Sequence, residues 1–566
     1  YRRLKNNLGA ALSGYYKRSG GFFENAHTGE KVDWSQTAGG TLKLDWEATK
    51  NLSLRYSTNF DFTNQGAFPY INTSADKVNC DSPGSYKRQA LTSGISIQYA
   101  CPEYTITSTT GYQYLNDNMH MDQDYNPAAE FRINQRQKQH SINEEIAIKS
   151  NAGSGYQWSY GLFGFYDYQK TTPPVWMLQD GITTLIQNQL DAAAAATPNM
   201  PLIRLTDSEI EFSGVYRKPA CGGAVFHQST FNDILSTKGL SFTIGLRLDY
   251  EHTGLDYDSG TGTNLTVQPR YPNAPVIPMR VDTLIRGHAA KDYVEFLPKF
   301  VLKYAPAPGS YGYVSASRGY KAGGHNVQMF ADLLSGALQK SIENRGVNTP
   351  SDTPVNDMIS FDPEYSWNYE IGGKADIIRD ALSVNFSVFY IDVKDVQVSR
   401  FVATGQGRMT ANAGKAVSKG FELGLKARPC TGFYLYANYG FSDARFKSRE
   451  YNMNRYISFA PRSTLSSGAN MSYGFKRSSL LDRVVLDVNF AGAGTIYWTE
   501  SNDKSQGFYG TTNARLSFEK NLLSLECWGK NIFDRDYQAF YFESMGNSFI
   551  QKGKPAQWGI TLRLKI

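Results

Sequence analysis

The sequence predicts an all-β fold, a large antiparallel transmembrane β-barrel with long loops at one end and short turns at the other. Three observations support this prediction. Segments of about ten residues alternate apolar and polar side chains along the whole chain, and short and long connections alternate between them. Ionised side chains also recur on the polar face of successive segments, where a water-filled lumen accepts them and a packed core would not.

The clearest pair of strands lies between Phe296 and Tyr320. Its first strand places Phe300 and Leu302 on one face, and its turn, residues 305–310, contains two prolines and a glycine. About forty residues without a strand pattern follow the second strand. A short turn at one end and a long loop at the other are typical of an outer-membrane hairpin.

Twenty segments have this strand character, and each is near the nine to eleven residues that a tilted strand needs to cross a bilayer. They are residues 5–17, 37–46, 52–63, 88–99, 103–115, 137–150, 155–168, 222–235, 240–251, 293–304, 311–320, 366–376, 381–396, 412–427, 432–443, 459–473, 483–493, 508–519, 522–532 and 555–566.

The alternation also predicts which side chains face lipid. In residues 241–250 and 483–490, leucine, isoleucine, valine and phenylalanine alternate with side chains that include Arg and Asp, and the last strand repeats the pattern. The lipid-facing residues predicted in this way include Leu246, Leu486, Trp558, Leu562 and Ile566.

Composition excludes several classes of protein. No run of eighteen apolar residues is present, which excludes a transmembrane helix, and a net charge of +6 over 566 residues argues against a nucleic-acid binder. An aromatic content of 14% suits a barrel with two interfacial girdles. The five cysteines form no CxxC pair. A Cys80–Cys101 disulfide stays open as a hypothesis, and it would require the loop to fold back along its strand.

Two motifs suggest metal ligands. Asp122, Asp124 and Asn126 have the one-three-five spacing of a calcium loop, but Pro127 stands where glycine is required and the twelfth position lacks glutamate. A solvated acidic loop is therefore the favoured interpretation. The soft ligands of the Met119–Met121 run are adjacent in sequence and converge poorly on one ion, so we predict no metal site. No catalytic triad or carboxylate pair can be assigned, and we predict no enzyme activity.

The long predicted loops, residues 64–87, 116–136, 169–221, 252–292, 321–365 and 533–554, carry aromatic side chains that could stack on a ligand. For any one of these residues taken alone, a loop-packing or interfacial aromatic is the favoured interpretation. The candidate ligand-binding residues are Tyr70, Tyr86, Trp176, Tyr257, Tyr271, His325, Tyr541 and Phe542.

Three blocks of sequence resemble the barrel of TonB-dependent receptors. They are residues 297–324 around the hairpin, the run FDPEYSWNYEIGGK from Phe361 to Lys374, and WGKNIFDRDY from Trp528 to Tyr537 with the closing strand. With residues 139–150 and 411–424, the resemblance covers essentially the whole chain. It departs at Ile566, where such barrels usually end in an aromatic residue. Residues 216–219 and 361–364 do not match the motifs of haem receptors, which disfavours haem as the ligand.

The resemblance implies a barrel of twenty-two strands with a plugged lumen. Residues 1–566 would then be the barrel domain alone, and we expect the plug, about two first strands and a secretory leader to precede it. The implied function is TonB-energised uptake of a scarce nutrient, most often an iron–siderophore and sometimes cobalamin or a glycan, across the outer membrane of a Gram-negative bacterium. No resident cofactor is implied, since an iron chelate would be the transported ligand.

The implied partners are the bilayer, lipopolysaccharide and TonB, the last through the segment ahead of the barrel. A surface lipoprotein or other outer-membrane subunits are further candidate partners, and nucleic acid is not. The alternative interpretation is a barrel without a plug that serves as a passive pore, or as a structural subunit of a larger outer-membrane complex.

Overall fold

The structure, a computed structural model, describes residues 2–5, 7–151, 153, 155–343, 355–401, 408–448, 453–475 and 480–564. Its main sheet contains 24 strands. Three of them, Val175–Met177, Leu202–Leu205 and Lys299–Ala307, continue the course of a neighbouring strand, so the wall has twenty-one strand positions. Every strand pairs antiparallel with the next along the chain. This meander is the all-β barrel architecture that the sequence predicts.

The strands of the wall alternate in direction from the first to the last. They are Arg2–Lys5, Leu8–Ser19, Ser35–Glu47, Leu52–Gly66, Ser85–Ala100, Tyr104–Asp122, Phe131–Ser150, Tyr156–Thr172 (continued by Val175–Met177), Ile210–Asn232 (extended by Leu202–Leu205), Leu240–Gln268, Ile277–Phe296 (continued by Lys299–Ala307), Ser310–Lys321, Glu364–Ile378, Leu382–Lys394, Ala416–Cys430, Phe433–Phe446, Ser463–Gly474, Arg483–Ala493, Tyr509–Lys520, Leu523–Lys530 and Gln557–Leu564.

All twenty predicted strands are present, and one more precedes them. The first predicted strand, residues 5–17, is divided in the structure, because Lys5 pairs with Leu8 across a tight turn. Lys5 therefore belongs to the preceding strand, Arg2–Lys5, and the predicted count of twenty is one too low.

The predicted lipid-facing residues lie on the outer face of the wall. Leu246 and Trp558 are 38% and 69% exposed, and Leu562 is also exposed. Leu486 lies in register between Met471 and Leu516 on the same face. Ile566 lies outside the described residues.

Several strands run far beyond their predicted ends, and the predicted loop 252–292 is mostly strand. In this extension the polarity of the two faces is reversed. Leu255, Val267 and Val281 point inward and are buried, whereas the outer face carries pairs such as His288 with Asp256, 2.7 Å apart. An antiparallel sheet that projects into water buries its apolar face and exposes its polar one. The pattern expected for contact with lipid is therefore absent from these extended parts of the strands, which explains why the sequence did not predict them as strand.

Most of the remaining elements fold over the long-loop end of the barrel. The helical ones there are the α-helices Gln179–Ile182, Asn188–Ala196, Met329–Glu343 and Val355–Ile359 and the π-helix Thr183–Gln187. The 3₁₀-helix Ile234–Ser236 lies instead in the short turn between the strands Ile210–Asn232 and Leu240–Gln268. None of these described helices is long and apolar enough to cross a membrane. The small strands are Tyr70–Asn72 with Gln538–Ser544 and Asn547–Lys552, Gly324–His325 with Ser360–Phe361, Gln397–Phe401 with Arg408–Asn412, and Ile496–Tyr497 with Ser505–Gln506.

The disulfide hypothesis is wrong for this fold. Cys80 lies in a loop at one end of the strand Ser85–Ala100, and Cys101 lies in the short turn at its other end. Sixteen extended residues span roughly 50 Å at about 3.3 Å per residue. Both thiols are free, and Cys80 accepts a hydrogen bond from the Asn25 side chain instead.

Candidate ligand-binding site

The strands Ile210–Asn232, Leu240–Gln268 and Ile277–Phe296 extend beyond their predicted ends, and we call these extensions the projecting strands. Their inner faces form an apolar surface on which the helix Met329–Glu343 packs. Phe330, Leu334, Leu338 and Ile342 recur every four residues, so they lie on one face of this helix, and all four are at most 1% exposed. They pack against inward-facing residues of the strands, including Leu255 and Tyr216. The helix is thereby fixed across the mouth of the barrel.

Beside this helix lies a cavity of about 300 Å³, the vestibule cavity. It is assembled from the projecting strands, the start of the helix and three separate loops. Its lining residues are Phe68, Tyr70, Met119, Met121, Gln123, Tyr125, Ile133, Gln135, Pro173, Val175, Phe212, Tyr216, Ser259, Val327, Gln328, Ala331, Leu334, Phe542 and Ser544.

One wall of the vestibule cavity is a cluster of aromatic rings. The centroid of the Tyr70 ring lies 5.0 Å from that of Tyr125 and 4.8 Å from that of Phe542, both edge-on. Tyr125 also meets Phe549, which is fully buried, at 5.4 Å. Three loops that are distant in sequence thus hold each other through edge-to-face contacts, each of which contributes about 0.5–1.5 kcal/mol.

The polar groups of the cavity are neutral. Tyr216 and Ser259 share a hydrogen bond of 2.8 Å, and the Ser259 hydroxyl donates to the Ser213 carbonyl. Amide side chains such as Gln135 supply further donors and acceptors. Among the described lining residues there is no Asp, Glu, Lys, Arg or His. The cavity can therefore hold an aromatic or amphipathic molecule through stacking, thioether contacts and neutral hydrogen bonds.

The acidic turn predicted to be solvated is in fact buried, with Asp122 and Asp124 at 3% and 2% exposure. Asp122 Oδ1 accepts the N–H groups of Asp124 and Tyr125, and Asp124 accepts those of Asn126 and Phe131. Burial raises the pKa of Asp122 to about 9 and that of Asp124 to about 6. These carboxyl groups shape the turn that presents Tyr125, whose φ is 55°, to the cavity.

Two of the eight predicted aromatic candidates, Tyr70 and Phe542, line the cavity. Tyr541 is buried behind them, where its hydroxyl donates to Glu543 at 2.6 Å. Trp176 points away, because it alternates with Val175 and Met177 along a short strand and stacks beneath the Arg132 guanidinium at 5.0 Å.

The other predicted candidates lie apart from the cavity lining. Tyr86 and Tyr257 are on barrel strands and not in loops, which corrects the prediction. Tyr86 donates to Asp117 and Tyr257 to Asn356, each at 3.1 Å, so both brace the wall or its helix. Tyr271 is 58% exposed in a loop.

His325 is 6% exposed in the short strand Gly324–His325, and its Nε2 has no hydrogen-bond partner among the described residues. Burial, reinforced by Lys291 and Lys218, lowers its pKa to about 4. The imidazole is therefore neutral at physiological pH.

Sequence reasoning missed most of the lining. Met119 and Met121 were considered as soft metal ligands, and the strand places both in the cavity while His120, between them, turns toward Ser82. If the period-two alternation of the predicted strand 103–115 is continued past residue 115, it places Met119 and Met121 on one face and His120 on the other. Phe212, Tyr216 and the helix carry no comparable signal, since they lie in segments interpreted as loop.

These features define a class of protein: a large β-barrel whose mouth is closed over by loops that build a binding cavity. A family model for the TonB-dependent receptor-like β-barrel matches residues 2–532. The chain belongs to this family. The family and its solved neighbours are receptors and transporters and not enzymes.

Solved structures with the same architecture support the assignment. The ferric yersiniabactin uptake receptor FyuA from Yersinia pestis is 15% identical, with a TM-score of 0.74 over 99% of this chain and 76% of its own. The siderophore receptor PiuA and the ferric preacinetobactin receptor BauA, both from Acinetobacter baumannii, are each 12% identical. Their TM-scores are 0.65 and 0.61 over 99% of this chain and 78% and 75% of theirs. At these identities the likeness establishes the fold.

Proposed function

We propose that this chain is the barrel of a receptor in the outer membrane of a Gram-negative bacterium, which takes up a scarce nutrient with energy supplied through TonB. We further propose that an iron–siderophore-type ligand binds in the vestibule cavity. The observation that carries this proposal is the aromatic and methionine lining at the mouth of the barrel. A passive pore has no need for such a lining.

The outer face supports the proposed location. Lys138, Lys170 and Arg217 are exposed and lie in register on three neighbouring strands, just beyond the aromatic residues of the outer face. A row of cations at this height suits the phosphate groups of lipopolysaccharide. TonB would act through the segment expected ahead of the barrel.

Complementation of a deletion strain tests which ligand is taken up. The full-length gene is returned to the strain, which is then grown on a panel of ferric chelates, cobalamin and glycans. We expect the wild-type gene to restore growth on a ferric chelate, and only in cells that contain TonB. The Tyr125→Ala, Phe542→Ala double variant removes two stacking contacts, about 1–3 kcal/mol together, so affinity should fall about 5- to 150-fold.

Tyr271→Ala is the matched control, because this exposed tyrosine lies away from the cavity and its variant should bind normally. Cell-surface protein is quantified for each variant. If the gene restored growth only on cobalamin or a glycan, the proposed ligand class would be wrong, but the proposal that the protein is a receptor would stand. TonB-independent growth, with a large open conductance of the full-length protein in planar bilayers, would favour the pore or structural subunit.

A further inference from the structure

One carboxylate lies on the outer face of the barrel between the two aromatic girdles. On the strand Phe131–Ser150, Glu144 falls between Ile142 and Ile146 on the outward side, and these isoleucines are 47% and 46% exposed. Across the neighbouring strand it pairs with Gly164, which lies between Leu162 and Tyr166 on the same face. In a barrel of this family, that face contacts lipid.

The depth of Glu144 follows from the aromatic residues of the same strand pair. The outward residues of Tyr156–Thr172 include Tyr156 and Tyr160 near the short turn and Tyr166 near the loop end. Gly164 lies between these two groups of tyrosines, and Glu144 is its cross-strand partner, so Glu144 also lies between them. On the described strands from Leu8 onward, Glu144 is the one outward position between the girdles that carries an Asp, Glu, Lys or Arg side chain. A charge-bearing side chain at this depth is costly and marks a functional site by default.

The surroundings of Glu144 are small or polar. Ser108 Oγ donates to one carboxylate oxygen at 2.7 Å, and Thr110 donates to the other. On the opposite side, Gly164 pairs with Gly223 of the next strand, so two adjacent positions lack side chains. A Cβ atom placed on Gly164 would meet nothing closer than a carbonyl oxygen at 3.9 Å. The carboxylate therefore borders a shallow groove in an otherwise bulky apolar band.

We propose that these five residues, Ser108, Thr110, Glu144, Gly164 and Gly223, form a docking surface within the membrane for a second protein. The partner presents a membrane-spanning segment with a Lys or Arg side chain at the depth of Glu144. We call this surface the Glu144 row.

Charge complementarity identifies the partner's chemistry. A carboxylate has about four acceptor sites, and Ser108 and Thr110 occupy two of them. Lipid tails offer no donor for the rest, whereas a cation opposite would both donate and neutralise the charge. The two glycines let a partner's backbone approach closely, as small residues do between membrane helices.

A second copy of the chain is a poorer occupant. On its strands from Leu8 onward, none of the described outward positions between the girdles carries Lys or Arg. A two-fold axis at the Glu144 row would instead bring two carboxylates together, and like charges repel in a medium of low dielectric constant.

The test uses full-length protein in lipid bilayers with a synthetic helix of about twenty leucine and alanine residues as the probe. The helix carries either one central Lys or a central Leu, and energy transfer between labels reports association. For wild-type protein we expect the Lys helix to associate about three- to tenfold more tightly than the Leu helix. Glu144→Gln should bring this ratio to about one, and Glu145→Gln, on the opposite face, should leave it unchanged.

Gly164→Leu supplies a second variant, since filling the groove should weaken association of both helices. Unboiled gel mobility confirms that each variant is folded. A ratio near one for wild-type protein overturns the proposal, as does an equal loss in Glu145→Gln. Barrel dimers that form without the probe and vanish in Glu144→Gln would assign the surface to a second copy and also overturn it.

Discussion

Phe330→Ala tests whether the helix Met329–Glu343 holds the vestibule cavity in shape. The Phe330 ring is 0% exposed, with its centroid 4.9 Å from that of Tyr216 and 4.8 Å from that of Tyr257. Truncating a buried phenylalanine removes its burial energy and leaves a cavity, which together cost about 3–5 kcal/mol. The loss falls on docking of the helix, because the strand hydrogen bonds of the wall do not involve this ring.

Native-state hydrogen exchange followed by mass spectrometry measures the effect. Since about 1.4 kcal/mol is a tenfold change, helix amides should lose at least about a hundredfold in protection, while strand amides such as those of 240–248 stay protected. Ligand affinity should fall together with helix protection. Lys340→Ala, on the exposed side of the same helix, should change neither quantity. If Phe330→Ala and Lys340→Ala exchanged alike, the helix would not be anchored as the packing indicates.

Full-length protein in detergent should migrate differently before and after boiling, because the strand hydrogen bonds are satisfied within the sheet; identical mobility would contradict a barrel. Leu246→Arg places a charge toward lipid and should cost about 2–4 kcal/mol in folding assays, whereas Thr243→Arg points into the lumen and should be tolerated; equal effects would refute the facing assignment. Burial lowers the pKa of His325 to about 4, so stability of the loop around it should be lost as pH falls from about 6.5 toward 4. Amide exchange of residues 322–343, corrected for intrinsic rate, measures this loss, and His325→Gln should remove the pH dependence.

The sequence by itself determined where the membrane-spanning strands lie. All twenty predicted strands are present, because a strand that separates water from lipid must alternate its side chains with period two. That period is local and can be detected within ten residues. The unpredicted first strand, Arg2–Lys5, is too short to show it.

Only the tertiary structure decided the extent of the projecting strands and the composition of the cavity. Beyond the membrane the inner face becomes the apolar one, so Leu255 and Tyr257 lie in a segment that lacks the pattern expected for lipid contact. The cavity also depends on contacts between residues far apart in sequence, such as Tyr70 with Phe542. A local pattern identifies an aromatic side chain as a candidate, but its partners depend on how the loops converge. For the same reason Glu144 stands out only once strand register places Gly164 beside it and Thr110 across from it.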